Sequence, residues 1–270
     1  MEQLFDLHVH SCHSIDCETP LADIFERARR RGLSGVAITD HDSFGGSAEA
    51  LALAPKDLLI VPGAELSTEY GHILCYFLRC DPREAGLRKG KDGFFPFAEV
   101  RAFAESQGAL LFAAHPYRGD RFTEELLPAL AGVEAFNGGN TPRKQAANDR
   151  ALALVRQRGL PASAGSDAHV ASAVGNGARA LDLPEGPTLA QFRAALETPG
   201  GRVYGHYSPA GPEQRWYIRL QLQRKRPRAA VRHLVKALAG TLLYDPLAPW
   251  RPDTRAVARG AYFETGGDGR

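Results

Sequence analysis

Leu4-Phe5-Asp6-Leu7-His8-Val9-His10 opens the chain with a short apolar run that ends in two histidines. Residues 4–9 read as a short buried strand, and His8 and His10, two apart at its end, point to the same side. Equivalent apolar runs return at 35–39, 58–64, 72–78, 109–114, 133–136 and 160–164. Helical patterns lie between several of them, at 21–31, 45–53, 97–107, 123–130 and 143–158. Alternation of this kind implies βα units and a parallel sheet covered by helices. The direct step from 58–64 to 72–78 predicts a hairpin that interrupts the alternation. A last body helix at 189–197 is closed by Thr198-Pro199-Gly200-Gly201, a candidate boundary.

The composition fits this picture. The chain has 270 residues, 44% hydrophobic and 24% charged, the make-up of an ordinary folded protein. No run approaches the roughly 20 apolar residues of a membrane span, and the first residues lack the basic and apolar regions of a secretory signal. Four cysteines in a chain of this length do not make a disulfide framework, so reduced thiols and a cytoplasmic location are expected.

Charge is unevenly spread. Residues 1–200 hold 20 Lys and Arg against 26 Asp and Glu, whereas 201–270 hold 13 against 5. The predicted organisation is a body over 1–205 and a basic extension over 206–270, with 207–212 as a linker. A helix is expected at 229–243, because Val231, Leu234, Val235, Leu238 and Leu242 follow the 3.6-residue period. Arg228, Arg232 and Lys236 lie on another face of that helix. The apolar face is expected to pack on the body. The chain from Asp245 onward, with three prolines, is expected to be irregular, and 266–270 to fray.

Histidine carries the functional signal. Six of nine sit where a predicted strand ends or begins: His8, His10, His41, His72, His115 and His169. Acids and an amide accompany them, namely Asp16, Asp40, Asp42, Glu65, Asn137 and Asp167. In a parallel barrel, residues at the C-terminal strand ends converge on one mouth, so ligands far apart in sequence can meet there. His8-x-His10 and Asp167-x-His169 are pincers for a cation, and Glu65 can bridge two. Each element alone is as easily a satisfied core histidine or a capping turn. Together they are not, because buried histidines and acids on this scale are costly without partners, which metal ions supply. A mixed nitrogen and oxygen set specifies the metal only loosely. Cys12 and Cys17 flank the first loop but lack the close pairing of a thiolate site.

The motifs Asp6-Leu7-His8-Val9-His10-Ser11 with Ser14-Ile15-Asp16, Thr39-Asp40-His41-Asp42, Gly63-Ala64-Glu65, Gly71-His72, Ala114-His115-Pro116, Asn137 and Gly165-Ser166-Asp167-Ala168-His169 closely resemble the PHP (polymerase and histidinol phosphatase) domain. They appear in the family's order across residues 6–169. The resemblance implies an α/β fold, a distorted (β/α)7 barrel, here with a basic helical C-terminal extension. It further implies two to three divalent ions, Mn, Zn or Fe, in a trinuclear site. By motif, one metal takes His8, His10, Glu65 and Asp167. A second shares Glu65 and takes His72 and His115; a third takes Asp16, His41 and His169. Asn137 falls at a position of ligand or supporting type, and Asp40 and Asp42 are expected to orient His41.

Such a cluster suits phosphoester hydrolysis, because metals activate a water and offset charge on the attacking and leaving oxygens. Glu65 and Asp167 are the expected catalytic carboxylates. No nucleophile elbow, P-loop or dinucleotide fingerprint competes. Arg118 and Arg143 are placed to bind substrate phosphate through bidentate guanidinium geometry, with Lys144 weaker and Ser14 and Ser43 near the opening. The expected substrate is a phosphorylated small molecule or a nucleotide; histidinol phosphate is an alternative, and length excludes a polymerase. A second reading is a nuclease or nucleic-acid-binding protein. Its basic strip would be Arg215, Arg219, Arg224, Lys225, Arg226, Arg228, Arg232 and Lys236, with Trp216 and Tyr217 for base stacking.

Overall fold

The computed structural model describes residues 1–139, 145–205, 217–219, 221–223, 225–243 and 261–264. Its strands are β1 (Glu2–Val9), β2 (Gly35–Ile38), β3 (Leu59–Thr68), β4 (Gly71–Tyr76), β5 (Leu110–Ala113), β6 (Gly132–Asn137), β7 (Ala162–Gly165), β8 (Gly177–Asp182), β9 (Arg202–Gly205) and β10 (Ala261–Glu264). Its helices are α1 (Leu21–Arg30), α2 (Gly45–Leu53), α3 (Phe97–Gln107), α4 (Gln145–Arg158), α5 (Leu189–Leu196) and α6 (Pro227–Leu243). The pattern at 123–130 forms a 3-10 helix, Glu124–Ala129, with Pro128 inside it.

β1 to β8 pair in chain order, and β8 returns to β1, which closes a barrel. β1, β2, β3, β5, β6 and β7 run in one direction; β4 and β8 run against them. The distortion of the barrel therefore lies at two reversed strands. β9 pairs with β8 along the edge opposite β1 and again runs with the majority. The sheet thus continues past the candidate boundary at 198–201.

Apolar side chains fill the ring. Pairing of β3 with β4 puts Glu65 opposite Leu74 and Gly63 opposite Tyr76, so these residues share one face with Val61 and His72. Phe5, Leu7, Ala37, Val61, Leu74, Tyr76 and Phe112 form one buried cluster with Phe192 and Leu196 of α5. Phe5 meets Phe192 edge-on at 4.7 Å between ring centroids. Each such side chain contributes about 1.5–3 kcal/mol on burial, so this face is apolar low in the barrel and polar only at its upper end.

The helices cover the outside for ordinary reasons. In α1, Leu21, Ile24, Phe25 and Ala28 are buried at helical spacing, and Arg27, Arg29 and Arg30 lie in the last turn, where the helix dipole favours cations. α5 begins with a capping box, in which Thr188 accepts from the Gln191 backbone and Gln191 reaches back.

The extension differs from expectation in two respects. α6 forms, but Val231, Leu234, Val235 and Leu238 are exposed rather than packed on the barrel. Among the described side chains of this helix Ala230 is the buried one, and His233, one turn on, stacks on Tyr217. Periodicity shows that a helix has an apolar stripe; it does not say that the stripe faces the body. The chain beyond Asp245 is also not wholly irregular, since β10 pairs antiparallel with β9 across Ala261–Glu264. The linker 207–212, the fraying segment 266–270, Arg143, Lys144, Arg215, Trp216 and Arg224 lie outside the described residues.

Candidate metal centre

Strand direction explains how the ligands meet. β1, β3, β6 and β7 bring His8, Glu65, Asn137 and the Gly165-Ser166-Asp167 turn to one end of the barrel. His10, His41, His115, Asp167 and His169 follow the ends of β1, β2, β5 and β7 in short loops. β4 runs the other way, so the same end receives its start, which is where His72 sits. The predicted hairpin is therefore the device that adds a sixth histidine to the mouth.

All nine expected ligands gather here. Glu65 is at the centre and fully buried. Its Oε1 lies 2.8 Å from His72 Nδ1 and 2.9 Å from His115 Nε2. Its Oε2 lies 3.1 Å from His8 Nε2, 3.3 Å from His10 Nε2 and 3.2 Å from His41 Nδ1. Asp167 Oδ1 lies 3.2 Å from His10 Nε2 and 3.5 Å from His8 Nε2. Asp16 Oδ2 lies 3.0 Å from His169 Nε2 and 3.4 Å from His41 Nε2.

Hydrogen bonding alone does not satisfy this cluster. Glu65 Oε2 has three ring nitrogens around it, yet it accepts no well-directed hydrogen bond. His8 Nε2 and His10 Nε2 also face each other at 3.2 Å. Lone pairs aimed at a common point are what a divalent cation satisfies, and the donor set of imidazole and carboxylate suits a transition metal. Three groups could hold one: His8, His10, Glu65 and Asp167; His41, Glu65 and His72; and His10, Asp16, His41 and His169. The first agrees with the expected set. In the others His41 and His10 reach further than expected, and His115 approaches through the shared Glu65 oxygen.

The electrostatics are those of a compact ionic cage. Burial opposes ionisation of Glu65, but His41, His72 and His8 outweigh it and hold the carboxyl well below the usual carboxylate range. Burial likewise opposes ionisation of Asp167, and His8 and Arg118 reverse the outcome. Burial disfavours the charged form of His8, yet Glu65, Glu134 and Asp167 carry its pKa well above the ordinary value. His115 is lowered, chiefly by burial.

Support comes from residues that the ligand pattern did not single out. Glu134, in β6, is buried; its Oε1 lies 2.9 Å from His8 Nδ1, and its Oε2 accepts from the His115 backbone N–H at 2.6 Å. It thereby fixes the ring of one ligand and the backbone of another. An acid inside an apolar strand, Val133-Glu134-Ala135-Phe136, was the available signal. Asp6 accepts backbone N–H groups of Ser166 and Gly175, both at 2.8 Å, tying β1 to the Asp167 loop; burial pushes its pKa up to about 6. Gly165 is required because a Cβ there would collide with His8.

Asp40 and Asp42 correct an expectation. Neither meets the His41 ring. Asp40 accepts from the Ser11 N–H and hydroxyl at 2.6 and 2.7 Å, and Asp42 accepts from the Ser67 N–H at 2.8 Å and from Lys89 at 2.5 Å. They brace the loop on either side of His41, whose own ring nitrogens are taken by Asp16 and Glu65. Asn137 donates to Glu134 at 3.0 Å, while its Oδ1 is buried without a hydrogen-bond partner. Ser14 donates to Asp16 at 2.9 Å and Ser43 accepts from Gly45, so both stabilise loops. Cys17 Sγ lies 3.3 Å from the carbonyls of His10 and His169, and burial pushes its thiol up to about 11, so it acts as a neutral donor.

Above the cluster opens a cavity of about 370 Å³, bordered by Asp16, His41, Glu65, His72, His115, Asp167 and His169. Arg118 and Arg121 also line it, and Arg118 pairs with Asp167 Oδ2 at 2.5 Å. Asp42, His115, Tyr117 and Asp167 adopt positive φ in these loops, a conformation that costs a non-glycine residue energy and collects at functional sites.

The comparisons agree with this geometry. Residues 6–121 match the PHP domain model and 145–198 match the PHP-associated model. An uncharacterized protein of Methanocaldococcus jannaschii is 31% identical over 149 residues, which is 49% of this chain and 80% of that one. A 3′,5′-nucleoside bisphosphate phosphatase of Chromobacterium violaceum is 38% identical over 88 residues, 32% of this chain and only 30% of that one. A two-domain Bacteroides vulgatus protein, described as containing a predicted PHP-like metal-dependent phosphoesterase, shares the fold at a TM-score of 0.60 and 20% identity. That match covers 76% of this chain and 65% of the other. The chain belongs to the PHP domain family.

Proposed function

We propose that the chain hydrolyses phosphate esters of small molecules or nucleotides at the barrel mouth, with two to three divalent ions of the Mn, Zn or Fe type. The observation that carries this reading is Glu65, a buried carboxylate whose two oxygens face five imidazole nitrogens within 3.3 Å. His8, His10, Glu65 and Asp167 would hold one ion; Glu65, His72 and His115 a second; Asp16, His41 and His169 a third. When bound, such ions activate water and offset the charge of the phosphoryl oxygens.

The chain's own residues do the rest. Glu65 and Asp167 supply the fixed negative charge that keeps the ions together. Glu134 holds His8, and Asp6 and Asp40 hold the loops. Arg118, already at the mouth, would exchange part of its pairing with Asp167 for a substrate phosphate oxygen, and Arg143, six residues past Asn137 in the sequence, is proposed to assist. The Chromobacterium relative acts on a nucleoside bisphosphate, which supports nucleotides as the substrate class.

The test is Glu65→Gln, assayed against a panel of mono- and bisphosphate esters, histidinol phosphate included, with added Mn. The substitution keeps the shape but removes the charge shared by the ions. A loss on the order of 1,000-fold or more is expected. Near-wild-type hydrolysis by the variant would remove Glu65 from the mechanism.

A second reading, a nuclease, has its own observation. Arg219, Lys225, Arg226, Arg228 and Arg232 are all exposed on the extension. In a nuclease they would track nucleic-acid phosphates, and binding would weaken steeply with salt. No helix among the described residues is long and apolar enough to cross a membrane; the cytoplasm is the compartment we propose.

A further inference from the structure

Among the described residues, two side chains of fixed positive charge border the cavity above the ligand cluster, Arg118 and Arg121. They differ in what holds them. Arg118 pairs with Asp167, itself one of the expected ligands. Arg121 is exposed, and its Cζ lies 4.2 Å from the centroid of the Phe94 ring. Among the described residues no carboxylate or carbonyl accepts from its N–H groups. Asp120, its neighbour in sequence, borders the same cavity without forming an ion pair with it. A Cβ placed on Gly71 would lie 3.9 Å from that of Arg121, so the arginine starts beside the β3–β4 turn, next to His72.

We infer that Arg121, steadied by Phe94, receives a second anionic group on the leaving moiety, so that the site favours phosphate esters carrying a further phosphate or carboxylate over esters with the reacting phosphate alone. This deepens the proposed function and rests on it. The reacting phosphate belongs to the ligand cluster, and Arg118 is tied to that end through Asp167. Arg121 has no such tie. A guanidinium presents five N–H donors in a planar fork that matches a carboxylate or a phosphate, and here that fork stands at the cavity wall. Attraction of the cation to the Phe94 ring restricts the long side chain before substrate arrives, which reduces the ordering cost of binding. The nearby carboxylate of Asp120 repels any anion that does not reach the fork. An uncharged leaving group therefore gains nothing from this wall.

The experiment uses the full chain loaded with Mn and three esters on one carbon skeleton: glycerol 3-phosphate, 3-phosphoglycerate and 2,3-bisphosphoglycerate. None has a planar ring, so charge is the variable. KM is measured for each in wild type, Arg121→Ala, Phe94→Leu and the double variant. Calorimetry with propylphosphonate, 3-phosphonopropionate and propane-1,3-diphosphonate, whose C–P bonds resist hydrolysis, gives binding apart from turnover. In Arg121→Ala, KM and Kd for the ligands with a second anion should rise about five-fold, and those for the singly substituted ligands roughly two-fold at most. The carboxylate and phosphate arms show which second anion the fork prefers. Phe94→Leu should move the same ligands in the same direction by less, with no further rise in the double variant, because Phe94 acts through Arg121. Equal losses across all three esters, or unchanged affinity for the doubly charged ligands in Arg121→Ala, would overturn the proposal and leave the hydrolytic reading standing. A further rise in the double variant would overturn the holding role of Phe94. If wild type hydrolyses none of the three, the hydrolytic reading fails for these esters, and the phosphonate titrations still decide whether Arg121 takes a second anion.

Discussion

The barrel mouth and helix α6 invert one another. At the mouth, His8, His10, Glu65 and Asp167 are buried charges and dipoles, each held by several partners. On α6, Val231, Leu234, Val235 and Leu238 are aliphatic side chains left in solvent. Burial of polar groups is unfavourable unless they are paired, and exposure of apolar groups forgoes stabilisation. A cluster buried against that cost fits the proposed hydrolytic role. A helix that does not bury its stripe draws little of its placement from the hydrophobic effect. His233 of this helix stacks on Tyr217, whose ring lies 6.1 Å from that of His169 at the site.

The contrast can be sharpened by removing supports from each region in turn. Glu134→Gln should have the larger effect. It keeps the size of the side chain but weakens the hold on the His8 ring and the His115 backbone. Loss of such an outer support costs about 10- to 100-fold in metal affinity or activity; titration of the variant with Mn, alongside its hydrolysis rate, measures this. An unchanged affinity and rate would mean that the ligand cluster does not need its outer shell. Leu238→Ala should have the smallest effect. Substitutions at exposed positions stay within about 0.5 kcal/mol, against about 2–5 kcal/mol for truncating a buried leucine. A denaturant melt of Leu238→Ala that shows a loss in the buried range would reveal that the stripe is covered in solution and break the comparison.

Much of the barrel was legible because its signals are local. Short apolar runs predicted β1 to β7 to within two residues at each end, save the end of β3, which runs on to Thr68, and the missing helix between 58–64 and 72–78 predicted the β3–β4 hairpin. The nine residues that gather at the mouth were legible as candidates because, Asp16 and Glu65 apart, each lies near a strand end, where a histidine or acid has no core role. β8 and β9 were not. Gly177-Ala178-Arg179-Ala180 is too small and too polar to announce a strand, and its burial follows from neighbours distant in sequence, β1 above all. Glu134 went unnoticed because it lies in the middle of a strand rather than at its end. Asp40 and Asp42 were legible as supports, but their targets, Ser11, Ser67 and Lys89, come from other loops. The orientation of α6 was illegible for a related reason. Val231, Leu234, Val235 and Leu238 mark a stripe, while Ala230, which is buried, and His233, which stacks on Tyr217, lie on a neighbouring face.

The buried histidines and acids at the mouth are proposed to hold catalytic cations. The most direct measurement is phosphoester hydrolysis by the full chain before and after exhaustive chelation, followed by add-back of Mn, Zn or Fe with metal content determined at each stage. Chelation should abolish turnover, and add-back should restore it together with two to three ions per chain. A stripped chain that hydrolyses at its original rate, or one that binds less than one ion per chain and is revived by none of the three metals, would contradict it.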